Sequence, residues 1–211
     1  ATLAEALAAP ADVVIDYTKP PAVKAHALAA LAAGRHVVIG TSGLSSADYA
    51  DIDAAAKAAG RGVLAAGNFS ITATLMRRFA LEAAKYVADI EVIDYASAAK
   101  PDTPSGTGRE LAEMLGAVRM AATSKPVAEL SGARETRGAG LGAPTPVQVH
   151  SVRMPGYVLS CEVLLGADNE RLAIRHDAGS SAAPYVAGTL LAARRVSGFA
   201  GLRRGLDAVM D

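Results

Sequence analysis

Asp12-Val13-Val14-Ile15-Asp16-Tyr17 is a short run of mainly apolar, β-branched residues. Such a run is typical of a strand buried on both faces of a sheet. Pro20 and Pro21 follow, and an alanine- and leucine-rich segment then continues to Gly34. Proline favours the first turn of a helix and glycine the position just past its end, so this segment is predicted to be a helix.

The same alternation continues along the next forty residues. The sequence predicts a buried strand over 36–40, a helix over 47–59 that ends at Gly60, and a third strand over 63–66. Strands that alternate with helices indicate βαβ units with right-handed crossovers and a mostly parallel sheet. The first part of the chain is therefore predicted to be α/β, a partial Rossmann-like sheet.

The pattern changes after Asn68-Phe69-Ser70, where the segments become longer and the connections more varied. Pro155-Gly156 and Ala167-Asp168-Asn169 are predicted to make turns between successive strands, so this part is expected to be α+β with a mixed or antiparallel sheet. Two domains follow from the change, one over 1–69 with 184–211 packing back on it, the other over 70–183. The predicted elements are a helix over 71–87, a strand over 90–97, a helix over 105–115, a mobile glycine-rich loop over 131–145, strands over 147–154, 157–165 and 171–177, a helix over 183–195 and an amphipathic tail.

The composition excludes several function classes. The 21 lysine and arginine residues balance 21 aspartate and glutamate residues, whereas a nucleic-acid surface carries a marked basic excess. No apolar run reaches the roughly 18 residues of a membrane helix, so a soluble protein is expected. Cys161 is the only cysteine and has no internal disulfide partner, which fits a reducing cytosol. No histidine pair has metal-ligand spacing, so no metal is predicted.

Lys100-Pro101-Asp102-Thr103-Pro104-Ser105-Gly106-Thr107 is the strongest candidate for a binding site. A lysine follows a predicted strand, and Ser-Gly-Thr opens a predicted helix. Helix N-termini favour anions through their unpaired N–H groups and aligned peptide dipoles. A lysine is usually just a solvated loop residue. The adjoining helix start favours instead a site for a carboxylate- or phosphate-bearing ligand, to which Ser105 and Thr107 offer hydroxyls and Gly106 an open N–H.

Three predicted strand ends form a second candidate site. They are Asp16-Tyr17-Thr18, Gly40-Thr41-Ser42-Gly43 and Ala66-Gly67-Asn68-Phe69. Each segment alone is better explained as a tight strand-to-helix turn. The three together favour a ligand site, because ligands of parallel α/β sheets bind at the carboxyl ends of the strands. Among the histidines, His26 and His36 are predicted to be structural, while either His150 or His176 could face a cleft.

These segments resemble the dihydrodipicolinate reductase (4-hydroxy-tetrahydrodipicolinate reductase) family of lysine and diaminopimelate synthesis. The resemblance covers nearly the whole chain, in the family's order and spacing, and its most specific part is the Lys-x-Asp-x-Pro-Ser-Gly-Thr block. The segments that carry it are Asp12-Val-Val-Ile-Asp-Tyr-Thr-Lys-Pro, Gly40-Thr-Ser-Gly-Leu, Ala66-Gly-Asn-Phe-Ser, Lys100-Pro-Asp-Thr-Pro-Ser-Gly-Thr and Arg171-Leu-Ala-Ile-Arg-His.

The resemblance implies an NADH- or NADPH-dependent cytoplasmic reductase that assembles as a homotetramer through its substrate-domain sheets. Residues 1–69 would be a partial dinucleotide-binding domain, and 70–183 would bind substrate and form the oligomer. Lys100 would donate a proton and Gly106 and Thr107 would bind a substrate carboxylate, with Ser97 and Ser105 as further polar contacts. The residues expected beside the nicotinamide are Gly40, Thr41, Ser42, Ala66, Gly67, Asn68 and Phe69.

Two departures from the family pattern keep alternatives open. The family strand before the lysine usually reads Glu-x-His-His, whereas this chain has Asp94-Tyr95-Ala96-Ser97. On a strand, the Tyr95 side chain is predicted to lie on the face opposite Ala96. The family's glycine-rich pyrophosphate loop is not among these residues, so a longer protein with about 80 further residues is expected. The alternatives are a relative with a different substrate, a catalytically silent homologue that binds a dicarboxylate or a partner, or an unrelated protein with a shared scaffold.

Overall fold

The computed structural model describes residues 2–210 and divides into two compact units, one made of the residues up to Thr74 and from Ala182 onward, the other of Leu75–Ser181. The helices are α1 Leu3–Ala8, α2 Pro20–Ala32, α3 Ser46–Ala59, α4 Ile71–Ala83, α5 Gly106–Val118 and α6 Ala183–Arg195. The strands are β1 Val13–Asp16, β2 His36–Ile39, β3 Gly62–Ala65, β4 Asp89–Ala96, β5 Ala139–Leu141, β6 Val147–Arg153, β7 Leu159–Ala167, β8 Glu170–Ala178 and β9 Gly201–Arg204.

The first unit contains a parallel sheet in the order β1-β2-β3-β9. Its middle strands β2 and β3 are buried along their whole length, as their continuous apolar sequence predicts. One hydrophobic cluster joins Val37 and Ile39 of β2 to α2 and α3, and a second joins Val38 to Ala192 and Val196 beyond the opposite face. The sheet is therefore covered on both faces, and the Rossmann-like prediction is confirmed.

The second unit contains a mixed sheet in the order β5-β6-β4-β7-β8. Strand β4 pairs in parallel with β6 and antiparallel with β7, while the β5–β6 and β7–β8 pairs are antiparallel. Met76 and Ala80 of α4, together with Leu111 and Leu115 of α5, pack in the core of this unit. Burial alternates strictly along β4, so every second side chain points towards that core.

Several details of the predicted organisation are wrong. The tail contains β9, which pairs with β3, because a parallel edge strand of four residues carries too weak a pattern to detect. The glycine-rich loop contains β5, which pairs with β6. The turn at Pro155-Gly156 does not join paired strands, since β4 lies between β6 and β7.

The described residues contain neither a membrane-spanning helix nor a cluster of metal-binding side chains. None of the helices there combines the length and apolarity that crossing a bilayer would take. Residues 2–210 also bring together no group of three or more histidine, cysteine, aspartate or glutamate side chains that could hold a metal ion.

Candidate active site

The loop that begins at Lys100 joins β4 to α5 in the second unit. Ser105 is the N-cap of α5, and its hydroxyl accepts a hydrogen bond from the Gly108 N–H at 3.1 Å. Gly106 and Thr107 occupy the exposed first turn, and within the described chain their N–H groups meet no acceptor. A Cβ at Gly106 would meet no atom within 4 Å. The start of α5 therefore offers two open donors and the Thr107 hydroxyl to an anion.

The Lys100 side chain lies on the same loop and is one-third exposed. Its Nζ is 2.9 Å from Asp102 Oδ1, and its backbone N–H donates to the Ser97 carbonyl at 3.1 Å. The hydrogen bond from Lys100 is the main reason that the pKa of Asp102 is lowered from its ordinary value. The ammonium group therefore has a carboxylate partner and remains accessible from solvent.

A buried ion pair beneath this loop escaped the sequence analysis. Asp94 has no exposed surface, and its Oδ2 is 2.6 Å from Arg153 Nη2. The same Arg153 nitrogen donates to the Asp102 carbonyl at 2.7 Å, so the ion pair is bonded directly to the loop. Asp94 also accepts from the Ser105 N–H at 2.9 Å and from the Ser105 hydroxyl at 2.6 Å. The two-residue period of β4 could have revealed this burial from the sequence, because it places Asp94 on the core face together with Ile90 and Val92.

The residues at the end of β4 offer little chemistry of their own. Ala96 is fully buried on the core face, while Ser97 lies just past the strand and is partly exposed. Tyr95 is on the opposite face, as predicted, where its hydroxyl donates to Glu162 Oε2 at 3.0 Å and Arg175 lies 4.8 Å from its ring centre. Ser97 is therefore the residue at the end of β4 that offers a hydroxyl.

The histidines of the second unit lie along its sheet. His150 Nε2 is 2.7 Å from Glu91 Oε2, and the Glu91 carboxylate also accepts from Arg137 at 2.5 Å. His176 pairs in register with Cys161 on the neighbouring strand, and burial lowers its pKa from the ordinary value. Both side chains belong to strands rather than to the loop of Lys100.

In the first unit, Asp16 organises the carboxyl end of the sheet. Its buried carboxylate accepts from the Thr18 N–H at 2.8 Å, the Thr18 hydroxyl at 2.7 Å and the Thr41 hydroxyl at 3.1 Å, and it lies 2.9 Å from His26 Nδ1. Burial alone would raise the pKa of Asp16, but the hydrogen bonds from Thr18, His26 and Thr41 outweigh it and lower the pKa below its usual value. His26 therefore supports a strand end, while His36 accepts from the Gly62 N–H at 2.9 Å.

The loop after β2 is packed against Tyr17. A Cβ at Gly40 would lie 2.1 Å from the Tyr17 ring, so a larger residue there would displace the ring. The Tyr17 hydroxyl is 2.7 Å from Thr189 Oγ1. Thr41 is held by Asp16, whereas the Ser42 side chain is exposed.

The loop after β3 leaves an open backbone. Gly67 is exposed, and a Cβ there would meet nothing within 4 Å. Asn68 Oδ1 accepts a hydrogen bond from the Ser70 N–H at 2.8 Å. This bond uses the oxygen of the Asn68 amide and not its NH₂ group. Ala66 and Phe69 are buried, and the Phe69 ring meets Tyr17 edge-on at 5.8 Å.

The whole chain matches two models of one protein family. Residues 1–69 match "Dihydrodipicolinate reductase, N-terminus", and residues 72–209 match "Dihydrodipicolinate reductase, C-terminus". The chain belongs to the dihydrodipicolinate reductase family. The resemblance that was identified from the sequence is thereby confirmed.

Relatives and a solved structure agree with this membership. The 4-hydroxy-tetrahydrodipicolinate reductase of Mycolicibacterium smegmatis is 38% identical over 201 residues, which cover 95% of this chain and 80% of that protein. The enzyme of the same name from Beutenbergia cavernae is 40% identical over 209 residues, or 98% of this chain and 83% of that protein. The dipicolinate-bound dihydrodipicolinate reductase of Paenisporosarcina sp. TG-14 superposes with a TM-score of 0.85 at 30% identity, covering 94% of this chain and 74% of that one.

Membership makes this chain a homologue of 4-hydroxy-tetrahydrodipicolinate reductase, an NAD(P)H-dependent oxidoreductase of lysine and diaminopimelate synthesis. The first unit fits a nicotinamide cofactor. Open backbone at Gly67 lets a flat ring approach, and the Asn68 NH₂ can donate to the carboxamide of such a ring. Thr41 and Ser42 add hydroxyls at the neighbouring strand end.

Proposed function

We propose that this member of the dihydrodipicolinate reductase family reduces a cyclic unsaturated dicarboxylate with NADH or NADPH, as 4-hydroxy-tetrahydrodipicolinate reductases do. The observation that carries the proposal is the loop from Lys100 to Thr107. An ammonium group and the open N–H groups of a helix N-terminus lie on this one short loop, and the buried Asp94–Arg153 pair fastens it to the sheet.

Substrate binding is proposed for the start of α5. The N–H groups of Gly106 and Thr107 would donate to a substrate carboxylate, and the Thr107 hydroxyl would add a third hydrogen bond. Ser97 would hydrogen-bond the substrate from the end of β4. Ser105 has a different role, because its N–H and hydroxyl are both bonded to Asp94 and the residue is only 2% exposed. It orients the helix start rather than touching the substrate.

Lys100 is proposed as the proton donor. Reduction of an unsaturated ring leaves negative charge on a ring atom, and a nearby acid must neutralise it. The Lys100 ammonium is accessible, and its ion pair with Asp102 holds it in place. The fixed N–H donors of α5 would hold the dicarboxylate beside it, so that the proton moves over a short distance.

The cofactor is proposed to lie at the strand ends of the first unit. A bound reduced nicotinamide supplies the hydride. The nicotinamide would be flanked on one side by Gly40, Thr41 and Ser42 and on the other by the segment 66–69. The Asp16 carboxylate accepts a hydrogen bond from the Thr41 hydroxyl and so holds it in place. The division into a cofactor-binding part (1–69 with 184–211) and a substrate-binding part (70–183), the homotetramer and the cytoplasmic location are proposed on family membership.

The proposal is tested by the oxidation of NADH and NADPH with freshly generated 4-hydroxy-tetrahydrodipicolinate. We expect turnover with at least one cofactor, and Lys100→Met should lower kcat by about 10²- to 10⁴-fold, the usual contribution of a positioned general acid. Lys85→Met is the matched control, since Lys85 is an exposed lysine in the turn after α4 and its ion-pair partner among the described residues is Glu82. Its kcat should equal that of the wild type.

Binding of dipicolinate, measured by calorimetry on the same proteins, separates catalysis from binding. Lys100→Met should keep a measurable affinity for dipicolinate, because the donors of α5 remain. If the wild type binds dipicolinate but oxidises neither cofactor, the reductase proposal fails and the chain is a silent dicarboxylate binder. In that case Ala96 and Ser97, at the end of β4, would be the first positions to examine.

A further inference from the structure

A cavity of about 770 Å³ lies in the second unit, at the end of its sheet where β4 begins. The loop over 121–128 covers it, and Ile90, Leu164 and Leu165 line it from the sheet, so we name it the loop cavity. Strand β4 separates it from the substrate loop, because eight residues of strand lie between Asp89 and Ala96, a span of about 23 Å. The loop cavity is therefore distinct from the candidate active site.

Its walls combine apolar surface with positive charge. The apolar part of the lining comes from the aliphatic side chains of the sheet and from Pro126, Pro144 and Pro146. The positively charged part comes from Arg119, Lys125 and Arg171. Such a lining, mainly apolar with a few charged groups, is typical of small-molecule sites, which range from about 300 to 1,000 Å³.

The three cations lack carboxylate partners, whereas the two nearby acids are hydrogen-bonded to other groups. Within the described residues, no carboxylate lies within ion-pair distance of Arg119, Lys125 or Arg171. Glu91 is bonded to Arg137 and His150, and Asp89 accepts from the Ser124 N–H at 3.1 Å and the Ser124 hydroxyl at 2.5 Å. Arg137 offsets the charge of Glu91, whereas Asp89 stays negative because its partners are neutral groups. Three unpaired cations thus outnumber one carboxylate, and the net charge at the cavity is positive.

Arg119 is partly buried, and the hydrogen bonding of its guanidinium is incomplete. Its Nη1 reaches the Ile90 carbonyl only at 3.5 Å, and its buried Nε has no hydrogen-bond partner. Burial lowers the pKa of Arg119, although the charge of Asp89 acts in the opposite direction. A partly buried guanidinium with unused donors is costly unless an anion completes it.

We propose that the loop cavity binds a small organic anion, a carboxylate carried on an apolar body. Arg119 and Arg171 would hold the carboxylate, and the proline-rich loop and the leucines of β7 would cover the body. Apolar walls disfavour a bare inorganic anion, and the unpaired cations disfavour a neutral ligand. Because the ligand would bridge the loop over 121–128 to the sheet, binding is expected to order that loop.

Calorimetry with 2-naphthoate tests the proposal. The matched probes are 2-naphthol, which has the apolar body without the carboxylate, and acetate, which has the carboxylate without the aromatic body. We expect one saturable site per chain for 2-naphthoate and at least about tenfold weaker binding of the other two. Arg119→Met and Arg171→Met should each raise the Kd for 2-naphthoate about tenfold. Arg194→Met, which removes an exposed charge in the other unit, should leave the Kd unchanged.

Three results would overturn the proposal. These are the absence of saturable binding, equal affinity for 2-naphthol, and loss of 2-naphthoate binding in Lys100→Gln, which would place the ligand at the substrate loop. If Arg119→Met does not fold, Arg171→Met and Lys125→Met give the same test at exposed positions. Amide shifts confined to 119–128 and 164–166 in a ¹⁵N-labelled sample would place the ligand in the loop cavity. Shifts around 100–107 instead would contradict it.

Discussion

Asp94 is a carboxylate without solvent exposure that accepts hydrogen bonds from Arg153 and from the backbone and hydroxyl of Ser105. These bonds join the end of a strand, the loop of Lys100 and the first turn of α5. A single acidic side chain thus fixes the relative positions of the proposed proton donor and of the N–H groups proposed to bind the substrate carboxylate. In the sequence it precedes the Lys-x-Asp-x-Pro-Ser-Gly-Thr block, and only its position on the core face of β4 reveals that it is buried.

Removing Arg153 should reveal how much this buried pair contributes. Arg153→Met leaves the Asp94 charge buried without its cation, so we expect the free energy of unfolding to fall by about 3–5 kcal/mol. Urea denaturation measures the change, and Arg109→Met, at an exposed position of α5, is the matched control. The double variant Asp94→Asn, Arg153→Met should recover part of the loss. A loss in Arg153→Met no larger than in Arg109→Met would show that the pair does not stabilise the unit.

Cys161 provides a second test at the residue scale. Burial raises the pKa of its thiol to about 12, and the Asp94 charge contributes in the same direction. At pH 8 the folded protein should therefore react with a disulfide reagent more than about a thousandfold more slowly than the urea-unfolded chain. The pKa of the Cys161 thiol is higher in the folded chain than in the unfolded chain. Burial of the neutral thiol therefore contributes fully to stability below the unfolded pKa, and this contribution is lost as the pH rises above it. Rapid labelling at pH 8 without denaturant would contradict the burial.

The residues also explain what the sequence could and could not predict. The helix that begins at Ser105-Gly106 and the face of Tyr95 followed from local rules, since a helix start and a two-residue period are visible in short stretches of sequence. Arg153 could not be found in this way, because its partner is 59 positions away in sequence. Hydrogen bonds of that range depend on sheet order, which local patterns do not encode.

Helix α6 approaches the loop after β3 so closely that only glycine fits between them. A Cβ at Gly188 would lie 1.9 Å from the Phe69 carbonyl oxygen. Gly188→Ala should therefore push the helix or the loop aside and lower the free energy of unfolding by about 1–3 kcal/mol. We also expect weaker cofactor binding, since residues 66–69 lie in the proposed cofactor site.

The control for this element is Gly198→Ala, where a Cβ would meet no atom within 4 Å. It should change neither the stability nor the Km for NADH or NADPH. Equal stability of the two alanine variants would mean that α6 shifts freely and does not constrain the loop.

The strand end at Asp16 predicts a pH dependence. The folded pKa of Asp16 is lowered, since its hydrogen bonds outweigh its burial, so its contribution to stability is present above the unfolded pKa and is lost as the pH falls through the folded value. At pH 7, Asp16→Asn should lower the free energy of unfolding by about 1–3 kcal/mol. This difference from the wild type should shrink below about pH 4. Asp12→Asn, at an exposed aspartate before the same strand, should cost less than about 0.5 kcal/mol. A difference that stays constant down to pH 2 would contradict the assignment.

At the scale of the whole molecule, the parallel sheet and its helices were predictable because each strand and helix is a local pattern. The order of the second sheet was not, since β4 lies between two strands that come later in the chain. That order leaves one face of the sheet, opposite α4 and α5, with partly exposed Ile93 and Val152. Partly apolar sheet faces of this kind are common at subunit interfaces.

The proposed homotetramer therefore has a specific test on this face. Light scattering should give four times the 21.4 kDa mass of the chain. Ile93→Lys places a charge in the middle of the face, beside His150 and Glu162 in register, and should shift the mass to dimer or monomer because an unpaired charge is costly at a buried interface. Tyr86→Lys, an equally drastic change at an exposed position after α4, should leave the mass unchanged. If Ile93→Lys remains tetrameric while its circular dichroism matches the wild type, the assembly uses another surface, and the sheet face is free.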